Sequence, residues 1–204
     1  MFTGVSHSMP SLRPEVPQST ERPRRILSML SNTPHYVRWF VLLAILSLCV
    51  GCDQMTKSIA RDQLADQAAP LSYLSDTFRL QYAENPGAFL GLGGNLPPQA
   101  RWLLLVVVNS LVALAIGIFV LVQTSMSPLK TLACALLLGG AIGNLIDRVR
   151  FDGLVIDFMN LGIGPLRTGI FNVADVAITT GAILLILPQL AATKSTAPTP
   201  DVPA

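Results

Sequence analysis

Four long apolar stretches limit what this chain can fold into. Residues 102–122 carry no charge and are long enough to cross a bilayer core unaided, since a spanning helix needs about 20 mostly apolar residues. Residues 176–193 follow Asp175 directly and are similarly apolar. Residues 39–52 run without a charge until Asp53 and Lys57. Residues 131–146 form a short stretch that extends back past Lys130, whose amine can snorkel to the surface. Of the 204 residues, 51% are apolar and only 13% charged, about half the charged share of a soluble domain. The pattern predicts four membrane-spanning helices, with three as the fallback.

The net charge of +2 is spread out, without the basic stripe that nucleic acid would require. Cys49, Cys52 and Cys134 lie within or beside apolar helices and lack metal-ligand spacing. His7 and His35 precede the first span without a second ligand nearby. No metal, cofactor, disulfide or nucleic-acid partner is expected.

Residues 1–35 are rich in Ser, Pro and Arg and read as a disordered cytoplasmic extension, as does the tail 194–204, around a membrane domain of residues 36–193. A secretory signal peptide is the competing reading of the N-terminus. The membranous remainder favours an uncleaved first helix instead. Five arginines up to Arg38 precede that helix and favour an N-terminus inside. The outer loops, however, carry as many positive residues as the inner segments, so charge bias does not reinforce the orientation. Two segments, 61–101 and 148–170, would face outward. In the longer one, Phe78, Leu80 and Tyr82 alternate with polar residues as in a half-buried strand, and Asn85-Pro86-Gly87 follows as a turn. The expected fold is therefore an all-α membrane protein of four helices, with a small extracytoplasmic β-sheet between helices 1 and 2.

Several polar residues sit where apolar ones would be cheaper. Asp53 and Lys57 have the spacing and order of a helical ion pair, which could simply lie at the headgroups. Gly139, Gly140 and Gly143 permit close helix approach, while Asn144 and Arg148 share a face. Arg148 could hold the Asn144 face or a lipid phosphate. Asn172 and Asp175 are three apart in the first turns of the last helix, where exposed amides favour an anion, so Asp175 could serve only as a helix-start acid. Asp157 has no such local excuse. Its neighbours Val155, Ile156, Phe158 and Met159 should push its pKa upward. If Asp157 and Asp175 meet, they form a usable acid–base pair.

Taken together, these stretches resemble the lipoprotein signal peptidase (signal peptidase II) family. The resemblance rests on Asp53-Gln54-x-Thr56-Lys57, Asn85-x-Gly87-Ala88-Phe89, Gly143-Asn144-Leu145-Ile146-Asp147-Arg148, Val155-Ile156-Asp157-Phe158 and Phe171-Asn172-x-Ala174-Asp175, in the family's order over residues 38–192. The chain departs from the common pattern at Val176, at residues 167–170 and in a shortened stretch after Asn85. The resemblance implies an aspartic endopeptidase of the bacterial inner membrane, acting on prolipoproteins whose cysteine carries a diacylglyceryl group. It makes Asp157 and Asp175 the catalytic pair, with Asp53, Lys57, Asn85, Gly87, Asn144, Arg148 and Asn172 lining or supporting the site. Membrane lipids are the other implied partners, and a monomer is the expected state. Catalysis would proceed by general acid–base hydrolysis, with the ionised member of the pair left open. The rival readings are an ion-coupled carrier, which would place acids at mid-span, and an assembly subunit, which would not need Asp157 in an apolar setting.

Overall fold

The computed structural model describes residues 35–87, 95–123 and 126–194. Ala88 and Phe89 of the second motif, and both expected terminal extensions except their inner edges, lie outside the described residues.

Helix α1 (His35–Leu64) continues well past the expected end of the first apolar stretch. Its continuation carries Asp53 and Lys57 inward, against other elements. Helix α2 (Pro98–Trp102) starts on a proline, a residue suited to a first helical turn. A wide π-helical segment, Leu103–Val108, then leads into α3 (Asn109–Val122). Helix α4 (Pro128–Arg150) begins with Pro128 after Ser127, whose hydroxyl accepts from the Lys130 N–H. The third apolar stretch therefore does extend back past Lys130. Helix α5 (Val173–Lys194) comes last in chain order among the described elements and contains Pro188. Among the described residues, three segments are long and apolar enough to cross a membrane, Tyr36–Leu64, Gln99–Val122 and Pro128–Arg150. The apolar part of α5, Val173–Pro188, is shorter.

The outer surface of the helices is rich in large apolar side chains. Phe40, Leu43, Leu104, Leu111, Leu121 and Leu187 are exposed, as lipid-facing side chains would be. Around α4, which touches α1, α3 and α5, the interior holds small residues and polar groups beside an apolar cluster of Leu42, Val120, Cys134, Ala135 and Leu138. Glycine allows this closeness. A Cβ on Gly140 would run into the Ala174 carbonyl oxygen and lie 2.7 Å from Ile178 Cγ1, so α4 and α5 meet almost backbone to backbone.

Four strands form one antiparallel sheet in the order β1 (Leu71–Tyr73), β2 (Phe78–Asn85), β3 (Val155–Ile163) and β4 (Leu166–Arg167). The expected sheet between the first two spans thus supplies only half of it. The other half comes from the segment joining α4 to α5, because β2 needs a partner for its free edge and β3 provides one. Pairing sets Ala83 opposite Asp157 and Asn85 opposite Val155, with a register shift between Leu80 and Ala83. Phe78, Leu80 and Tyr82 are half-buried as expected, and Leu80 and Tyr82 pack with Phe158 on Ala60 and Leu64 of α1. That contact fixes the sheet to one end of the helices.

Substituting Gly140→Ala should force α4 from α5 and cost about 1–3 kcal/mol, the usual penalty for overpacking a tight contact. Thermal unfolding of the purified protein in detergent measures it, and an unchanged melting temperature would mean the helices are not so closely held.

Candidate active site

Asp157 comes from β3 and Asp175 from the first turn of α5, and the side chain of Asn172 joins them. The Asn172 Nδ2 donates to Asp157 Oδ1 at 2.6 Å, and its Oδ1 accepts from the Asp175 N–H at 2.9 Å. In return, Asp175 Oδ2 accepts from the Asn172 N–H at 3.2 Å. Asn172 is therefore the cap just ahead of α5, where the sequence suggested a place within its first turns. The two residues close a reciprocal box that satisfies otherwise orphaned amides of the helix start. Asp175 does serve as a helix-start acid, but that leaves its Oδ1 for Asn144 Nδ2, at 3.0 Å.

Asp157 is buried, with 1% of its surface exposed. Its second oxygen accepts from Asn85 Nδ2 at 2.8 Å, and Asn85 is itself held by a bond from the Gly87 N–H to its Oδ1. The expected turn at Asn85 thus aims this amide at the acid. Burial pushes the Asp157 carboxyl up to about 6, and the neighbouring Asp175 charge adds to the rise. The amides of Asn85 and Asn172 and the Lys57 ammonium oppose it without cancelling it.

Beneath the pair lies a buried charge cluster. Lys57 Nζ sits 2.9 Å from Asp53 Oδ2, 3.0 Å from Asp147 Oδ2 and 2.9 Å from Asn144 Oδ1. All three charged side chains are at most 2% exposed, so the headgroup reading of the Asp53–Lys57 pair is corrected. The helix continues past them and the sheet covers them. Asp53 Oδ1 also accepts from the Ala174 N–H at 2.9 Å, and Asp147 Oδ2 from the Ile156 N–H at 3.1 Å. Gln54 Nε2 donates to Asp147 Oδ1 at 2.8 Å. Arg148 is buried and donates to the Asn144 and Gly87 carbonyls at 3.2 and 3.1 Å. It is committed to the protein interior, which removes it as a lipid-phosphate ligand.

Every expected site residue therefore joins one connected network. Asp53 and Lys57 act from beneath, Gly87 through its backbone, and the others at or beside the acids. Asp147 and Gln54 were not among the expected site residues. Their signal was spacing: Asp147 follows Asn144 by three, one turn along the same helix, and Gln54 lies inside the first motif.

A helical membrane protein with an amide-bonded acid pair, Asp157 buried and Asp175 partly so, where its sheet meets its helices is the class that fold and site define. Residues 45–191 match the family described as Signal peptidase (SPase) II. The lipoprotein signal peptidase of Sphingopyxis alaskensis is 38% identical over 159 residues, covering 78% of this chain and 88% of that protein. The one from Moorella thermoacetica is 41% identical over 146 residues, covering 72% and 89%. A solved bacterial membrane enzyme, determined by the in meso method, superposes with a TM-score of 0.66 at 26% identity, over 80% of this chain and 94% of that one. The chain belongs to the signal peptidase II family. It is a multi-pass membrane peptidase.

The Asp157 assignment has a pH consequence. The folded carboxyl keeps its proton to about pH 6, while in the unfolded chain it titrates near 3.8. The folded state is therefore favoured at low pH and loses that advantage as pH rises through about 6, by at most about 3 kcal/mol. Asp157→Asn should flatten the difference in melting temperature between pH 5 and pH 7.5, whatever its effect on absolute stability. Parallel pH profiles for the two proteins would contradict the raised value.

Proposed function

We propose that this peptidase removes signal peptides from prolipoproteins as an aspartic endopeptidase, cutting before the cysteine that carries a diacylglyceryl group. The observation that carries the reading is the joining of Asp157 and Asp175 by one asparagine, which bonds to both. Asp157 is buried and inclined to keep its proton, whereas Asp175 lies at a helix start whose amides favour an anion. In this reading Asp175 takes a proton from a water held between the acids. Asp157 donates a hydrogen bond to the scissile carbonyl, and the proton on the pair is later delivered to the leaving amine. Asn85, Asn144 and Asn172 hold the carboxylates so that neither turns away during turnover.

Four spans, with both termini cytoplasmic, the acids at the outer face and a monomeric enzyme, complete the reading. Its support is that β2 follows α1, β3 follows α4, and the two strands pair. The ends of α1 and α4 therefore lie on one side. Helix α5 starts from that same side, and a return through the bilayer leaves the C-terminus with the N-terminus. The N-terminal arginines favour the side of the two termini as the inner one.

Purified protein should cleave a diacylglyceryl-modified prolipoprotein and leave its unmodified form largely intact; equal cleavage of the two, both membrane-inserted, would defeat the lipid requirement. Asp157→Asn and Asp175→Asn should each abolish most turnover, and the double variant should cost little more, because members of one catalytic unit are not additive. Asp147→Asn, one layer below, should reduce turnover less at matched amounts of folded protein. Near-normal cleavage by either folded dyad variant would sink the aspartyl mechanism.

Cysteine labelling tests the orientation. A membrane-impermeant reagent applied outside the inner membrane should modify a cysteine placed at Asp66 but not one placed at Ser125. The reverse pattern would put the acids on the wrong face for exported substrates.

A further inference from the structure

The sheet side of the helices holds more basic residues than the acid pair uses. Lys57 is bonded to Asp53 and Asp147, Arg148 to two carbonyls, and Arg79 and Arg167 to Asp76. Arg61 and Arg150 are different. Arg61 reaches Asp62 only at 4.0 Å, with both side chains well exposed, a contact worth little in water. Arg150 is exposed as well. Yet both guanidinium groups converge on one ring: Arg61 Cζ lies 5.5 Å and Arg150 Cζ 5.6 Å from the centroid of Phe151.

Each arginine belongs to the last turn of its helix, α1 or α4. The carbonyl ends of those helices favour a cation there, but this does not explain why two like charges share one aromatic platform. Between them is a depression lined also by Ser58, with Lys57 and Asp147 toward its base. Asp147 is already matched by Lys57 at 3.0 Å, so among the described residues the two guanidinium groups have only the exposed 4.0 Å contact of Arg61 with Asp62 as an ion pair. The depression lies at the sheet-bearing end of two candidate spans, Tyr36–Leu64 and Pro128–Arg150, the part of a spanning helix that meets headgroups and water rather than hydrocarbon. Trp102, 3.6 Å from where a Cβ of Gly153 would be, sits at the same end as interfacial tryptophans do.

We propose that Arg61 and Arg150, stacked on Phe151, bind the phosphodiester of an anionic membrane phospholipid of the phosphatidylglycerol type. Planar guanidinium forks match phosphate oxygens in pairs. A diacylglyceryl group carries no phosphate, so this lipid is separate from the proposed substrate, and the site does not depend on the peptidase reading. Its base is shared with the Lys57–Asp147 pair, so an occupied site braces the network under the acids.

The test uses the full-length protein in phosphatidylcholine nanodiscs into which phosphatidylglycerol is titrated, read by native mass spectrometry of retained lipid and by thermal unfolding. Phosphatidylglycerol should be retained over phosphatidylcholine. Arg61→Gln and Arg150→Gln should each weaken that preference about fivefold and the pair about thirtyfold, from about 1 kcal/mol per basic residue at a membrane surface. Arg101→Gln, outside the lining of the depression, should keep it, and each variant's unfolding in pure phosphatidylcholine serves as its own baseline. An undiminished preference in the double variant overturns the proposal, and so does an equal loss in Arg101→Gln, which would indicate diffuse charge. Inorganic phosphate and glycerophosphoglycerol, added to detergent-solubilised protein, form the last arm. If either shifts unfolding through the same arginines as strongly as the intact lipid does, the site takes a free phosphate and the lipid assignment fails.

Discussion

The ammonium of Lys57, buried between Asp53 and Asp147, is the interaction on which the rest of the structure depends. Removing ions from water costs several kcal/mol apiece, and one cation cannot by itself compensate two carboxylates. The remaining stabilisation comes from neutral donors: the Gln54 amide and the N–H groups of Ala174 and Ile156. These partners come from α1, the start of α5 and β3, while Asp147 belongs to α4. Four elements distant in sequence are thereby tied to one point. A missing member would leave a buried charge unpaired, which typically costs about 3–5 kcal/mol, so the cluster specifies how the helix ends and the sheet assemble.

From that point order passes upward through amides. Lys57 donates to the Asn144 oxygen, which leaves the Asn144 nitrogen to face Asp175. Asn172 donates to Asp157 while its own oxygen caps α5. Asparagine suits both places because one side chain accepts on one side and donates on the other. The acids are consequently held by groups that carry no charge of their own. Such holders leave Asp157 with a raised pKa, where a nearby arginine or lysine in direct contact would have forced it down.

The bilayer explains why so much polarity gathers in so small a volume. Apolar side chains gain nothing by leaving lipid for a protein interior, so the helices turn them outward and rely on close approach and hydrogen bonds to associate. Gly140 and Gly143 provide the approach. A Cβ on Gly143 would lie 2.5 Å from an Asp53 oxygen, so this glycine makes room for the charge cluster itself. Basic residues on the sheet side follow the same economy. Most are bound to protein acceptors, so their number there reflects the site's architecture more than the insertion signal that loop charges usually carry.

The sequence by itself determined the features that depend on local pattern. Three of the four apolar stretches form helices long enough to span, because that property is a matter of length and composition. The strand around Phe78–Tyr82 and the turn at Asn85 were legible, because alternation and an asparagine's reach to the amide two residues on are short-range. The acids were visible as costly residues beside apolar ones. Only the tertiary structure decided which of these groups meet. Asn85 reaches Asp157 across 72 positions and Ala174 reaches Asp53 across 121, and no local period encodes such pairings. The sequence could thus leave Asp53 and Lys57 as a surface pair and half the sheet unassigned. Strand pairing between β2 and β3, and the desolvation that follows when the sheet covers the helix ends, turned that pair into the buried centre of the site.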